Sequence, residues 1–313
     1  WVTCTNPPYA NTSKMNERIN DFIKLYYVNS KADMSTVFMG KTVSMLLPYG
    51  FMTMINIPVW MFLSTYENLR KSLLKTTTTI NLIHPGRGIF GSDFGTVAFV
   101  IMRNEVENYF GKYCRLFDKQ GDVESVSMRE KAFLNRKGTF IADQKSFEII
   151  PGNPIAYWAS HAVLNAFENG MPLECLASPK QGSTTGNNEL FLRLWFEVVE
   201  NRLKWFKCLK GGAYRKWYGN HDYYIDWEEN GKNIKSEGRQ TIRNSDKLFQ
   251  EGISWSRVTI GASSFRIMPE GYFFESASGV CFPRGDDLPY VLGLLNSKVI
   301  QKFAEMLNST ATL

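Results

Sequence analysis

Hydrophobic positions along the first third of the chain change period from two to three or four and back. Val2-Thr3-Cys4-Thr5 reads as a strand, and Lys14–Tyr27 carries Ile19, Phe22, Ile23, Tyr26 and Tyr27 at helical spacing. Asp33–Leu47 predicts a second helix, with Met34, Val37, Phe38, Val43, Met45 and Leu46 on its apolar side. Gly50 then releases Phe51–Ile57, short and apolar enough for a buried strand, which Pro58 ends. Trp60–Leu74 predicts a third helix and Ile80–His84 a strand. A glycine-rich loop, Pro85–Gly91, leads to the apolar strand Thr96–Met102, and Tyr109–Phe117 reads as a last strand of this part. Strands alternating with helices predict an α/β fold with a mainly parallel sheet covered on both faces.

Beyond about residue 120 the pattern loosens. Charged and glycine-containing stretches, Asp118–Asp122 and Asn135–Gly138, lead to a boundary-like cluster at Ile149–Pro154. Short strands are predicted at Val258–Ile260, Ser264–Met268 and Gly271–Glu275, and a closing helix at Leu288–Leu307. The pattern divides the chain into an α/β part over 1–122, a connector over 123–150 and an α+β domain over 151–313, less regular than the first.

The 313 residues can bury a sizeable core, and 44% hydrophobic with 21% charged residues excludes a disordered chain. A net charge of +6 suits a polyanion partner without establishing one. Five scattered cysteines, none in a C-x-x-C pair, predict reduced thiols in a cytoplasmic protein with no metal site. His84, His161 and His221 are far apart and read as structural or surface residues. Pro48, Gly50, Asn56 and Pro58 interrupt the longest apolar stretch, so it does not read as a membrane span.

Chemistry concentrates in Asn6-Pro7-Pro8-Tyr9, at the end of the first strand. Such a tetrapeptide resembles the catalytic loop of enzymes that methylate an exocyclic amino nitrogen of nucleic-acid bases. An aromatic amine is a poor nucleophile because its lone pair is delocalised into the ring. Two acceptors aimed at its N–H bonds pull the nitrogen toward tetrahedral geometry and stabilise the positive charge that develops during attack. The Asn6 side-chain oxygen can be one acceptor, and a main-chain carbonyl stiffened by two prolines the other. Tyr9 offers a flat face for an extruded base. Asn-Pro and Pro-Pro are also ordinary turn signals, and chance alone places such a tetrapeptide in roughly one chain in a hundred of this length.

Phe90 and Phe94 flank the glycine-rich turn and could clamp a base opposite Tyr9 or simply pack in the core. Phe90 is the better candidate, since Gly88 and Gly91 leave it free to project. Arg202, Lys204, Lys207, Lys210, Arg215 and Lys216 are interleaved with Trp205, Phe206, Tyr214, Trp217 and Tyr218. They read as a nucleic-acid surface or as a solvated basic face. Gln181–Asn188, with Thr185 and Asn187, is a polar loop able to read base edges, or an ordinary surface loop. Gly40-Lys41-Thr42 imitates the end of a phosphate loop, but Ser35 stands where glycine is needed.

Taken together, Asn6–Tyr9, Leu47-Pro48-Tyr49-Gly50 and the Phe90 loop resemble the second half of N6-adenine DNA methyltransferases in which target recognition follows catalysis. Pro151–Trp158, Thr185–Asn188 with Phe191, and Lys210–Gly212 through Arg215–Asn220 are similar to the large adenine methyltransferases of BREX phage-exclusion systems. The resemblance implies a partial doubly wound methyltransferase sheet over 1–122 and a target-recognition domain over 151–313. It implies that Asn6 and the Pro7 carbonyl accept from the adenine N6 amino group, with Tyr9 and Phe90 stacking on either face. It places Lys207, Lys210, Arg215, Lys216, Thr185 and Asn187 toward double-stranded DNA, and implies S-adenosylmethionine as cofactor. The loop that holds this cofactor lies upstream of the catalytic loop in the family. With Trp1 opening directly onto a strand, and Asn308–Leu313 ending before the recognition domain finishes, an internal piece of a longer enzyme is expected, one that does not hold the cofactor tightly. A non-catalytic DNA-binding or partner-docking module of a defence complex is the alternative. Methylation of RNA or of protein amides is a third reading.

Overall fold

Four strands of the first sheet run one way and two run against them. The computed structural model describes residues 1–90, 95–118, 123, 125–199, 203–258 and 262–307. Phe94, Gly91, Arg202, 119–122, 259–260 and 308–313 therefore lie outside the described residues. The chain divides into two units, Trp1–Gly170 and Met171–Leu313.

The first unit runs β1 (Val2–Thr5), α1 (Glu17–Tyr26), α2 (Met34–Met45), β2 (Phe51–Asn56), α3 (Glu67–Thr76), β3 (Thr77–Arg87), β4 (Gly95–Arg103), β5 (Phe110–Arg115), α4 (Val126–Leu134), β6 (Thr139–Asp143) and α5 (His161–Asn169). Its six-stranded sheet has the order β1-β2-β4-β3-β5-β6. β1 pairs with β2, and β3 with β5, in parallel, whereas β2 with β4, β3 with β4, and β5 with β6 are antiparallel. The sheet is thus mixed rather than mainly parallel. Only residues 88–94 separate β3 from β4, too few for the helical crossover that a parallel pair requires, so β4 turns back.

Side chains of asparagine and aspartate start the first two helices. Asn16 accepts from the Ile19 N–H at 3.0 Å, and Asp33 from the Ser35 N–H at 2.9 Å. At Gly50, a Cβ would lie 2.9 Å from the Leu47 carbonyl oxygen and 3.1 Å from that of Trp1, so glycine alone lets β2 begin against β1. Met52 and Met54 of β2 and Val97, Phe99 and Ile101 of β4 form one core with Trp60, Leu69 and Leu73.

The helix expected over Trp60–Leu74 is shorter. Pro58–Met61 and Ser64–Tyr66 form tight 3-10 turns, and α3 begins at Glu67. The cause is Arg70, fully buried, whose Nη1 donates to the Trp60 carbonyl at 2.8 Å and the Leu63 carbonyl at 2.7 Å. Its Nε and Nη2 donate to the Gly152 carbonyl at 3.0 and 2.6 Å.

That bond also bears on the unit boundary. The segment read as a connector over 123–150 contributes β6 to the first sheet, and Ile155 and Tyr157 are buried in the first core. Tyr157 stacks on Tyr113 with ring centroids 5.0 Å apart. The boundary expected at 150/151 therefore falls at 170/171.

The second unit contains β7 (Ala177–Gln181), α6 (Asn188–Phe191), β8 (Leu192–Leu194), β9 (Trp205–Leu209), β10 (Tyr223–Asp226), α7 (Lys232–Glu237), β11 (Gly252–Ser256), β12 (Phe265–Met268), β13 (Tyr272–Phe274), β14 (Ser278–Pro283), α8 (Leu288–Leu295) and α9 (Lys298–Leu307). Two four-stranded sheets form, β13-β9-β10-β8 and β12-β11-β14-β7. The closing helix is broken at Asn296, whose amide donates to the Phe265 carbonyl at 2.8 Å and whose oxygen accepts from the Phe265 N–H at 3.2 Å. The protein is mixed α/β, with several sheets. Among the described residues no helix is long and apolar enough to cross a membrane.

Candidate active site

β1 delivers Asn6-Pro7-Pro8-Tyr9 at its C-terminal end, and three contacts fix the loop. Pro7 is buried, Tyr9 is half-buried, and Asn6 and Pro8 face solvent. The Tyr9 hydroxyl lies 2.5 Å from Asn6 Oδ1 and 3.1 Å from the Ile55 carbonyl oxygen at the end of β2. Just beyond, the Ala10 carbonyl accepts from the Met34 N–H at 2.9 Å, which ties the loop to the start of α2. Burial pushes the Tyr9 phenol above its ordinary pKa, so it remains a donor throughout the neutral range.

Strand directions place the other predicted aromatic. β1, β2, β3 and β5 share one direction, so the loops that follow them leave the same end of the sheet. Asn6–Tyr9 follows β1 and Phe90 follows β3, three positions away in the strand order. At about 4.8 Å per strand, the two strand ends are about 14 Å apart. Phe90 is 61% exposed, so it is not a core residue. Its partner candidate Phe94 lies outside the described residues.

In the second unit, the predicted DNA residues separate into two groups. Lys207 lies on β9 with its Nζ 5.9 Å from the Tyr272 ring centroid, and Lys210 Nζ is 4.8 Å from that of Tyr223. Arg215 is exposed, and Lys216 Nζ donates to the Asn296 carbonyl at 3.0 Å. Thr185 is buried and donates to Asn188 Oδ1 at 2.5 Å, while Asn187 accepts from the Leu190 N–H at 3.2 Å and caps α6. Those two side chains hold their own loop. Sequence reasoning missed two features. The Ile55 carbonyl could not be found from residue type. Arg266 interrupts a strand otherwise made of Phe265, Ile267 and Met268, and that was its visible signal.

Residues 2–90 match the family described as Eco57I restriction-modification methylase. The chain is 35% identical over 341 aligned positions to the adenine-specific methyltransferase PglX of Lacticaseibacillus casei strain Zhang, covering 99% of this chain and 28% of that protein. It is 36% identical to the adenine-specific methyltransferase BrxX of Escherichia coli O9:H4 strain HS, covering 97% of this chain and 26% of that one. The chain is a relative of these PglX and BrxX methyltransferases. It spans about a quarter of the length of either PglX or BrxX. The fold is shared with the Type IIL restriction-modification enzyme MmeI, solved in complex with DNA, at a TM-score of 0.67 and 10% identity over 100% of this chain and 45% of that one. It is shared too with the Type ISP enzyme LlaGI, solved with a DNA substrate mimic, at a TM-score of 0.58 and 13% identity over 99% of this chain and 33% of that one.

Proposed function

We propose that this chain is the base-holding and target-recognition part of a site-specific DNA adenine-N6 methyltransferase of a phage-defence or restriction-modification system. The observation that carries the reading is the exposed Asn6 carboxamide, held at the end of β1 by Tyr9 in a chain related to adenine-specific methyltransferases.

A duplex hides the adenine amino group, so the base leaves the stack before reaction. Asn6 Oδ1 and the Pro7 carbonyl then accept the two N6 hydrogens. Acceptance raises the electron density on the nitrogen and stabilises positive charge as the new bond forms. A carboxamide oxygen has two acceptor sites, so Asn6 can serve the base while Tyr9 holds it. The Tyr9 ring stacks on one face of the adenine, and the exposed Phe90 is the candidate for the other. The proton lost from the methylated nitrogen leaves through the acceptor that holds it.

S-adenosylmethionine would supply the electrophilic methyl group. A carboxylate beside the loop, Asp33 at the start of α2, is buried and caps its own helix by accepting from the Ser35 N–H. The first unit is read as part of the catalytic domain. The second is read as the DNA-recognition domain, with Lys207, Lys210, Arg215 and Lys216 toward the phosphates of duplex DNA. Its fold is shared with enzymes solved on DNA, which supports that reading.

The test is Asn6→Ala in the intact gene, read by base-modification sequencing of host DNA. Loss of an acceptor of this kind costs about 10²- to 10³-fold in rate, so adenine methylation should fall below detection while DNA affinity stays near wild type. Undiminished methylation would overturn the reading.

A further inference from the structure

Arg266 is the least expected charge in the molecule. It sits on β12, opposite Ser254 of β11, and only 1% of its surface is exposed. Its Nη2 donates to Ser256 Oγ at 3.1 Å, but Nε and Nη1 have no partner. No carboxylate pairs with it among the described residues. Arg215 is the charged neighbour that acts on it, and both are cations. A buried guanidinium is normally paired or saturated with hydrogen bonds, because an uncompensated buried charge is costly.

The segment laid over Arg266 is Lys210–Asn220, and its backbone is shaped for the purpose. The Gly211 N–H donates to Ser278 Oγ at 2.7 Å, and Ser256 Oγ, which accepts from Arg266, itself donates to the Gly212 carbonyl at 2.9 Å. The Arg215 N–H donates to Ser264 Oγ at 3.3 Å. Trp217 bridges to β12 beside Arg266, giving its N–H to the Phe265 carbonyl at 2.9 Å and accepting from the Ile267 N–H at 3.0 Å. At Gly219, φ is +125° and a Cβ would stand 2.7 Å from Arg215 Cδ, so the arginine stem lies flat against the loop. Arg215 itself stays exposed, near enough to act on the buried guanidinium of Arg266.

His221 closes the group. Its Nε2 is buried without a partner, and its ring packs edge-on to Tyr218 at 4.5 Å and tilted to Tyr272 at 4.9 Å. Burial, with Arg266 and Lys207 adding to it, holds the imidazole below its ordinary pKa, against a hydrogen bond to the Ile267 backbone and the exposed Asp222, which raise it. Two guanidiniums and an imidazole nitrogen without a partner thus lie about one loop, where Asp222 is exposed and the buried Glu275 accepts from the Ala277 N–H.

We propose that Arg215 and Arg266, with His221 beside them, form a site for a single phosphate group, and that the phosphate is a backbone phosphodiester of DNA. Arg215 takes the group at the surface. As the arginine stem lifts from Gly219, a phosphate oxygen reaches Nη1 of Arg266, one of its two unpaired nitrogens. Hydrogen bonds from a guanidinium to phosphate oxygens are charge-assisted and strong. The DNA source rests on the functional reading above, whereas the phosphate chemistry stands on the loop alone.

The experiment has two arms on the 313-residue chain. In the first, inorganic phosphate is titrated against chloride at matched ionic strength, with thermal midpoint and the His221 imidazole resonance as readouts. Phosphate should raise both the midpoint and the His221 pKa, and Arg215→Gln should remove both responses. In the second, a short duplex is bound at several salt concentrations. Arg215→Gln should lower the slope of log K against log salt by about 0.9, the value for one phosphate. Arg266→Met should do the same where it folds, and the exposed Arg215 carries the test where it does not. No phosphate response in wild type, or an unaltered salt slope in Arg215→Gln, overturns the proposal. Neither arm involves methyl transfer, so its failure leaves the Asn6 reading standing, and failure of that reading leaves the phosphate arm intact.

Discussion

The Tyr9 hydroxyl sits between two acceptors, 2.5 Å from Asn6 Oδ1 and 3.1 Å from the Ile55 carbonyl oxygen. It has one proton. Donation to Asn6 fixes the carboxamide before a base arrives, and rotation toward Ile55 returns the full acceptor capacity of Oδ1 to the substrate. In the proposed reaction, the ring that would stack on the base and the oxygen that would accept from it are both set by Tyr9.

Tyr9→Phe keeps the ring and removes the proton. It should cost about 1 kcal/mol of stability, the net worth of a typical hydrogen bond, and reduce methylation less than tenfold. Tyr9→Ala should cost a further 1–3 kcal/mol or so in base binding through lost stacking. Single-turnover methyl incorporation on a short duplex separates the two. Equal losses would show that the hydroxyl, not the ring, is the essential part.

Phe90 is exposed, so Phe90→Ala should change stability by less than about 0.5 kcal/mol. Methylation of a paired adenine should nevertheless fall. A mispaired adenine leaves the stack at lower cost, so the deficit should narrow on a mismatched duplex. A deficit identical on both duplexes would count against a stacking role.

His84, buried on β3, meets the Tyr157 hydroxyl at 3.2 Å and lies edge-on to Phe117 at 4.7 Å. Burial, reinforced by Arg115, pulls its pKa down to about 3. Unfolding restores a value of about 6.5, so the unfolded chain takes up a proton that the folded chain refuses. Its contribution to stability is complete above about pH 6.5 and is lost as pH falls toward 3. Urea midpoints measured from pH 8 to pH 4 should decline, and His84→Gln should flatten the decline by up to one proton.

Arg70 should be intolerant of change. Arg70→Met strands the carbonyls of Trp60, Leu63 and Gly152 in the core and should cost on the order of 3–5 kcal/mol. Arg70→Lys should rescue little, because one ammonium cannot reproduce a planar fork. Thermal denaturation of both variants checks this.

The strands of the first unit were legible because β1, β2 and β4 are apolar runs bounded by Pro, Gly or Asn. The first two helices were legible over Lys14–Tyr27 and Asp33–Leu47 from apolar spacing, and the structure adds their caps at Asn16 and Asp33. The direction of β4 was not, since it depends on how little chain separates it from β3. Pro151–Pro154 reads as a linker in the sequence, whereas Arg70, Ile155 and Tyr157 tie this segment to the first core. β8, three residues long, carries too little pattern to be read, whereas β13 falls within the strand read at Gly271–Glu275. At the candidate site, Asn6–Tyr9 and Phe90 were visible as residue types, but the Ile55 carbonyl carries no signature in the sequence. Arg266 was visible as an anomaly within a strand, and its burial required the fold.

The grip of Arg70 on Gly152 joins positions 82 residues apart. A ribosome releases the chain from the amino end, and domains tend to fold in that order. Here the core of the first unit cannot close when β5 emerges, because the carbonyl that completes it is still unmade. Between synthesis of Arg70 and of Gly152, the nascent chain carries Arg70 with the carbonyls of Trp60 and Leu63 but without that of Gly152. Over that interval the core of the first unit lacks one of the three carbonyls that Arg70 holds.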